Sequence, residues 1–338
     1  MPKLESQPFE SKLDRSNEQF QKNKSSMLSM LEEIDVLLDE AELGGGEHHK
    51  ERLAKRGKLP VRERVFHFLD PDSPFLEISG LAAFKSDYPV GGGAIAGIGV
   101  SAGIECIIFA NDPTVLAGAM HFYSVKKWMR AMQIARDSRL PFIQFVESAG
   151  GDLRPRSNAV VGGTTHFAES GRQFYEITEL SKLNIPTVTV TFGTATAGGA
   201  YQPGMSDYNI FVKDQADVAL AGPPLVQMAT GEISSREDIG GAKMHAEKSG
   251  LAEYLAEDDL DGIRIAREVM SHLNWDKEGT EPRFSIEEPI HDQEDLLGLI
   301  EPSLKTPFDI REIIGRIADG SKFEEFKSLY GATMVCGW

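Results

Sequence analysis

Hydrophobic positions along this chain follow three rhythms. In a polar opening stretch, Met27, Leu28, Leu31, Ile34, Leu37 and Leu38 recur at helical spacing, and Gly44-Gly45-Gly46 ends the run. That pattern predicts an N-terminal helical arm over 1–46, packing on the main body or on another subunit. Between Gly91 and Ala110, the apolar runs GGGAIAGIGV and ECIIFA flank Ser101-Ala102-Gly103, which predicts a β-hairpin. The third rhythm is a repeat. Leu140-Pro141 leads into the apolar run 142–146 and then Ser148-Ala149-Gly150-Gly151-Asp152; Ile185-Pro186 leads into 187–192 and then Thr196-Ala197-Gly198-Gly199-Ala200. A helical pattern precedes each run: Val125, Trp128, Met129, Met132, Ile134 and Ala135 for the first, and Phe174, Ile177, Leu180 and Leu183 for the second. Strand, glycine turn, helix, strand is the signature of a right-handed parallel crossover, so an α/β fold is expected. Ligands of parallel sheets bind beyond the carboxyl ends of the strands, where both glycine loops fall.

After Trp275 the chain turns acidic and proline-rich, which marks a linker over 276–300. A helical stretch follows from Asp309 to Ile317, and the sequence closes on the strand-like TMVCGW. An unpaired apolar strand is a poor ending for a domain. Residues 47–275 are therefore expected to form one domain, and 301–338 the start of a second that is cut off.

The totals narrow the class. In 338 residues, 41% are hydrophobic and 26% charged, an ordinary globular balance. The formal net charge of -17 argues against a nucleic-acid partner. Cys106 and Cys336 offer neither a disulfide framework nor metal spacing. No apolar run is long enough to span a membrane, and the mixed-charge N-terminus is no secretory signal. A cytoplasmic location is expected, or the mitochondrial matrix in a eukaryote, although no clear transit peptide is present. Against the acidic background stands one basic cluster, Arg52, Lys55, Arg56, Lys58, Arg62 and Arg64. It reads either as a solvated helix face or as a contact for phosphates.

The glycine loops carry the best candidate chemistry. Gly-Gly lets backbone N–H groups approach a ligand without a side chain in the way, and donors so placed stabilise a thioester oxygen as it becomes an enolate. The bland alternative is tight helix–strand packing. Gly97, Gly99 and Gly103 miss the dinucleotide spacing by one residue. Ser148 and Ser206 lack the elbow of a serine hydrolase. His48-His49 are adjacent, and His121, His166 and His245 are single and read as structural. A reaction whose base arrives with a cofactor suits such a site, and no metal site is expected.

At these loops the sequence resembles the carboxyltransferase (beta) subunit of biotin-dependent acyl-CoA carboxylases, of the methylcrotonyl-CoA and geranyl-CoA type. The likeness runs in order over 44–275, through Gly44-Gly-Gly-Glu47, Arg56-Gly-Lys-Leu59, Arg62-Glu-Arg64, Ser124-Val-Lys-Lys127, Thr196-Ala-Gly-Gly-Ala-Tyr201, Met205-Ser-Asp207 and Ala221-Gly-Pro-Pro-Leu-Val226. It implies a crotonase-like fold of repeated ββα units. It implies that Gly198 and Gly199, with Ala200, hold the thioester oxygen, that Gly150, Gly151, Ala197 and Tyr201 line the substrate site, and that Lys126, Lys127 and Arg56 hold CoA. The family's Asp-Ser-Gly-Gly-Ala stands here as Glu147-Ser148-Ala149-Gly150-Gly151-Asp152, which leaves open which N–H of that loop meets the ligand.

The resemblance further implies transfer of a carboxyl group from carboxybiotin to an acyl-CoA. Tyr201 and the Gly-Pro-Pro-Leu-Val phrase lean toward a branched enoyl thioester such as 3-methylcrotonyl-CoA, and this part alone is expected to be inactive. No Met-Lys-Met biotin-attachment motif is present, so biotin would arrive on a partner biotin carboxylase or carrier that uses ATP and bicarbonate. A homo-oligomer is expected. Two rivals stay open. One is a hydratase or isomerase, for which Glu147 is the acid–base candidate; the other is a non-catalytic CoA-binding or assembly subunit.

Overall fold

The computed structural model describes residues 7–152, 167–276, 285–303, 305–331 and 333–338, with side chains in the helix that opens at Phe167 described from 171 onward. Two compact units divide it, one of residues 1–36 with 279–338 and one of residues 37–278. This division differs from the boundaries expected at 46, 275 and 300. The segment expected as a linker carries helical residues from Gln293 to Leu299.

The larger unit is built on one mixed sheet. Its strands are β1 (Leu76–Glu77), β2 (Ala94–Ser101), β3 (Ile104–Asn111), β4 (Phe142–Ser148), β5 (Thr187–Thr196), β6 (Tyr208–Val212), β7 (Asp217–Ala219) and β8 (Tyr254–Ala256). They lie in the order β1-β2-β3-β4-β5-β6-β8, with β7 beside the end of β5. β1, β2 and β3 pair antiparallel, and from β3 onward the pairs are parallel. The hairpin expected from the glycine pattern is β2–β3. Ala102 and Gly103 at its tip both have positive φ, 51° and 76°, which matches the right-handed twist of the flanking strands. The Asp70 carboxylate accepts from both tip N–H groups at 2.8 Å.

The helices of the chain include α1 (Glu18–Leu43), α2 (Glu47–Ala54), α3 (Val61–Phe68), α4 (Phe122–Ser138) and α5 (Phe167–Lys182). Alternation along β4 sorts the core into two layers. Ile143 and Phe145, with Val188, Val190 and Phe192 of β5, pack with α3 and the helix Asp259–His272. Phe142 faces the other way and packs with Trp128, Ala131 and Met132 of α4 and Ile177 and Leu180 of α5. β4 therefore ends with Glu147 on the first side and Ser148 on the second.

In the smaller unit the buried Arg316 guanidinium donates to Asp295 at 3.1 Å and to Glu312 at 2.8 Å, while Arg15 meets Asp295 at 2.6 Å. The ring of Phe20 lies against Gly298, where any Cβ would collide at 2.3 Å. The Asp309–Ile317 stretch forms only one turn, Arg311–Ile314. The strand-like ending forms no strand among the described residues; Gly337 makes a single antiparallel bridge to Glu325. Leu28, Met30, Leu31, Ile34 and Leu38 of α1 are exposed.

Candidate active site

β4 and β5 run parallel and release the two glycine loops side by side. Gly150 needs to be glycine twice over: its φ is 91°, and a Cβ there would lie 2.9 Å from the Thr196 carbonyl oxygen. That close approach brings the loops into register. In the first loop the N–H of Ala149 donates to Ala117 O at 3.1 Å, that of Gly150 to Ser148 Oγ at 3.2 Å, and that of Asp152 to Met120 O at 2.8 Å. Among the described residues, the N–H of Gly151 is the one left over in that run.

The second loop is a 3-10 helix, Ala197–Ala200, continued by a short helix α6 (Tyr201–Gly204). Its entry is strained: Ala197 sits at φ 53° without being glycine. The first N–H groups of a helix have no partner within it, and here those belong to Ala197 and Gly198. A Cβ added at Gly198 meets nothing within 4 Å, whereas one at Gly199 reaches Ser148 at 3.4 Å.

Above the loops opens a cavity of about 460 Å³. Its walls come from residues spaced along one face of α4 — Phe122, Val125, Lys126, Met129, Arg130 and Gln133 — and from Arg172, Gln173 and Glu176 of α5. Met120, Gly150, Gly151, Gly198, Gly199, Trp128 and Gln202 complete it. Lys126, Arg130, Gln133 and Arg172 are exposed and form the rim; Trp128, Glu176 and Gln202 are buried.

The structure thus brings together Gly150, Gly151, Gly198, Gly199 and Lys126 of the residues expected from the sequence. It does not bring in the rest. Ala200 packs into the core with Val146 and Phe211. Tyr201 sets its ring against Phe174, with centroids 4.5 Å apart. Ala197 is outside the cavity lining. Lys127 is a correction: its side chain is buried, and Nζ donates to Ala94 O at 2.7 Å and Gly91 O at 3.3 Å, so it supports the β2 end of the sheet and cannot reach a phosphate. Burial pulls its pKa down to about 8. Arg56 is exposed beyond α2 and away from the cavity.

The basic cluster divides in the same way. Lys58 and Arg64 converge on Glu147 from the far side of the sheet. Lys58 Nζ meets Oε1 at 2.6 Å and Phe192 O at 2.8 Å; Arg64 meets Oε2 at 3.1 Å and Asp259 at 3.0 Å. Arg62 pairs with Glu77 at 2.8 Å. These three are neither a solvated face nor a phosphate site. Glu147 faces away from the cavity and is held by two cations, which removes it as the acid–base residue of a hydratase. Inside the cavity, Glu176 is likewise held, by Arg136 at 2.6 Å and Arg172 at 3.2 Å.

His245 is structural: its ring bonds Ser249 Oγ at 2.7 Å and Val218 O at 2.9 Å. His121 is buried and stacked on Tyr88, with ring centroids 3.9 Å apart. His166 lies outside the described residues. The composition had no signal for Gln202 or for the Glu147 cage. No helix among the described residues is long and apolar enough to cross a membrane, and no cluster of metal-ligating side chains occurs among them.

A family model described as "Carboxyl transferase domain" matches residues 52–338. The chain is 47% identical over 330 residues to a probable biotin-dependent acyl-coenzyme A carboxylase beta2 subunit of Mycobacterium tuberculosis, covering 98% of this chain and 61% of that one. It is 41% identical to a mitochondrial methylcrotonoyl-CoA carboxylase beta chain of Dictyostelium discoideum, covering 96% and 55%. The crystal structure of the P. aeruginosa geranyl-CoA carboxylase beta subunit superposes with a TM-score of 0.85 at 41% identity, covering 98% and 61%. The chain therefore spans between about half and two thirds of the length of these relatives.

Proposed function

Because this chain belongs to the carboxyl transferase domain family, we propose that it is the acyl-CoA-binding half of a biotin-dependent carboxyltransferase. Its substrate is an acyl-CoA of the methylcrotonyl class or a related thioester, as the names of its relatives suggest. The architecture reads as crotonase-like, with ββα units repeated and an N-terminal helical arm. Residues 47–275 form the acyl-CoA domain, residues 301–338 open the second domain, and the carboxybiotin site belongs to the part of the relatives' length that this chain does not span.

One observation carries the reading. Among the described residues, the N–H groups of Gly151 and Gly198 are left over in the lining of one cavity, while the carboxylates in and behind it are already held by cations. Such a site can stabilise a developing oxyanion but offers no free carboxylate among its described residues to take the α- or γ-proton. That fits a base that comes with the cofactor. When bound, carboxybiotin supplies the carboxyl group and, at its ureido nitrogen, the base; ATP and bicarbonate are spent by the partner carboxylase. This chain's residues do the rest. Gly151 and Gly198 hold the thioester oxygen as it becomes an enolate oxygen, a donor worth about 3 kcal/mol of barrier. The aromatic and methionine walls exclude water, and Lys126 and Arg172 at the rim meet CoA phosphates.

The test is a Gly198→Val exchange. The added side chain has room in the fold but fills the cavity floor, so 3-methylcrotonyl-CoA affinity should fall at least about thirtyfold with an unchanged melting temperature. Unchanged affinity would refute the site. If acyl-CoA binds but the complete subunit, with its biotin partner, transfers no carboxyl group, the non-catalytic reading replaces this one.

A further inference from the structure

Gln144 breaks the apolar pattern of β4. It stands between Ile143 and Phe145, is 0% exposed, and lies on the same face as Phe142, toward α4. Folding alone does not call for an amide there, because exchanging a buried polar group and its partners for well-packed apolar side chains is often neutral or stabilising. The amide instead joins two walls of the cavity. Trp128 Nε1 of α4 donates to Gln144 Oε1 at 3.0 Å, and Gln144 Nε2 reaches Thr189 Oγ1 of β5 at 3.3 Å and Ser206 Oγ at 3.2 Å. Thr189 and Ser206 share a hydrogen bond of 2.6 Å, and Ser206 Oγ donates to the Gln202 carbonyl at 2.8 Å. Trp128 and Gln202 both line the cavity.

Donor and acceptor chemistry fixes the direction of this network. An indole N–H only donates, so the amide oxygen faces Trp128 and the amide nitrogen faces the hydroxyls. A backbone carbonyl only accepts, so Ser206 commits its one proton to Gln202, and Thr189 must donate to Ser206. The bonds therefore run one way, from Trp128 to the Gln202 carbonyl, and in such a run each polarises the next. What they hold is α6. Four residues are too few for a helix to keep its own geometry. Tyr201 O and Pro203 O take the N–H groups of Met205 and Ser206 at 3.1 and 3.2 Å. Gln202 O, between them, is bonded by side chains: Ser206 Oγ and, at 3.5 Å, Gln144 Nε2. Asp207 ties the far end of the segment to β5, accepting from Thr187 N at 2.9 Å and Thr187 Oγ1 at 2.8 Å. The loop Ala197–Ala200 runs directly into α6, so the setting of α6 sets the direction of the Gly198 N–H.

Resting on the oxyanion reading of that N–H, we infer that Gln144 is a positioning residue: through Ser206 and the Gln202 carbonyl it aims the Gly198 N–H at the thioester oxygen, and it ties that aim to Trp128 in the cavity wall. It touches no substrate. The same network gives Ser206, within the Met205-Ser-Asp207 phrase, a role that is not nucleophilic. An oxyanion donor acts through preorganisation, its direction being set before charge develops, and a buried, fully bonded side-chain network is a means of setting it.

The experiment reads the bond that such a donor polarises. 3-Methylcrotonyl-CoA, isotope-labelled at its thioester carbonyl, is bound to the chain, and the carbonyl stretch is followed by difference infrared spectroscopy. A donor at the oxygen lowers that stretch, so the natural chain should show a downshift from the free thioester. Gln144→Met, similar in length but unable to bond, should lose most of the downshift while still binding the thioester. A purely structural glutamine would lower the melting temperature, through the stranded Trp128 N–H, and leave the band where it was; that result overturns the inference. Ser206→Ala keeps the bond between Trp128 and Gln144 but cuts the link to Gln202, and should also lose the downshift. It decides the matter should the methionine variant fail to fold or to bind, and a full downshift in it overturns the inference as well. A natural chain that fails to bind the thioester, or binds it with no downshift, overturns the oxyanion reading itself and this inference with it.

Discussion

Glu147 and Ser148 are neighbours in the chain, yet they end β4 on opposite sides of the sheet, and the two sides treat polar groups in opposite ways. Behind the sheet, Glu147, Lys58, Arg64 and Asp259 neutralise one another at 2.6–3.1 Å. On the cavity side, the N–H groups of Gly151 and Gly198 have no acceptor among the described residues. The closed side fixes the backbone that presents the open side. Gly118 shows how tightly: at φ 68°, a Cβ there would lie 1.9 Å from the Glu147 carbonyl oxygen. The glutamate beside the glycine loop is thus a structural residue here, and the proposed chemistry falls to donors that carry no formal charge.

The largest effect that could break this contrast is Glu147→Ala. It leaves Lys58 and Arg64 buried without their shared anion, and about 3–5 kcal/mol of folding stability should be lost, read by urea denaturation. If Glu147 were instead an acid–base residue, the fold would tolerate the change and only turnover would suffer. Next comes Lys127, a buried cation on the α4 side that meets carbonyls, with the Glu77 carboxylate only at 3.9 Å. Its pKa is lowered to about 8 by burial, below its unfolded value near 10.4. The unfolded chain therefore binds the proton more tightly across that window, and stability rises as pH rises from about 8 toward 10.5, by of the order of 3 kcal/mol. Measured against Lys127→Met, the natural chain should gain ground over that range; a flat difference would mean the ammonium is solvated.

Much of this was legible in the sequence. The hairpin at Ala102-Gly103, the long helices α4 and α5 and the glycine loops all rest on spacing within a few residues, which the chain states directly. What was not legible depends on distance. Lys58 and Arg64 lie 89 and 83 residues before their carboxylate, so a cluster that reads as one basic face divides between a buried cage, a pair with Glu77 and a few exposed side chains. Lys126 and Lys127 look alike in the sequence, but on a helix adjacent residues point about 100° apart, and one reaches the rim while the other is buried. The smaller unit joins residues 1–36 to 279–338, an association that no local pattern announces.

A smaller effect probes how the loops hold each other. Gly150→Ala forces a Cβ into φ 91° and to within 2.9 Å of Thr196 O. The strain should cost about 1–3 kcal/mol, and relieving it moves the Gly151 N–H off the cavity floor. Acyl-CoA affinity should then fall together with stability, unlike Gly198→Val, which spares stability. A loss of stability with full affinity would detach the first loop from the oxyanion role.

The smallest expected effect sharpens the contrast at the rim. Lys126 is exposed, with Nζ 4.3 Å from the centre of the Phe122 ring, and is free to swing toward a phosphate. An exposed contact of this kind is worth about 0.2–1 kcal/mol and weakens with salt. Lys126→Ala should therefore weaken free CoA about two- to fivefold at low ionic strength, with the difference shrinking in 0.5 M salt and the melting temperature unchanged. Arg56→Ala, with the same charge change outside the cavity, is the control and should do nothing. Equal losses from both would mean that CoA feels only the overall charge of an acidic protein; a loss confined to Lys126 places the phosphates on the α4 side of the rim.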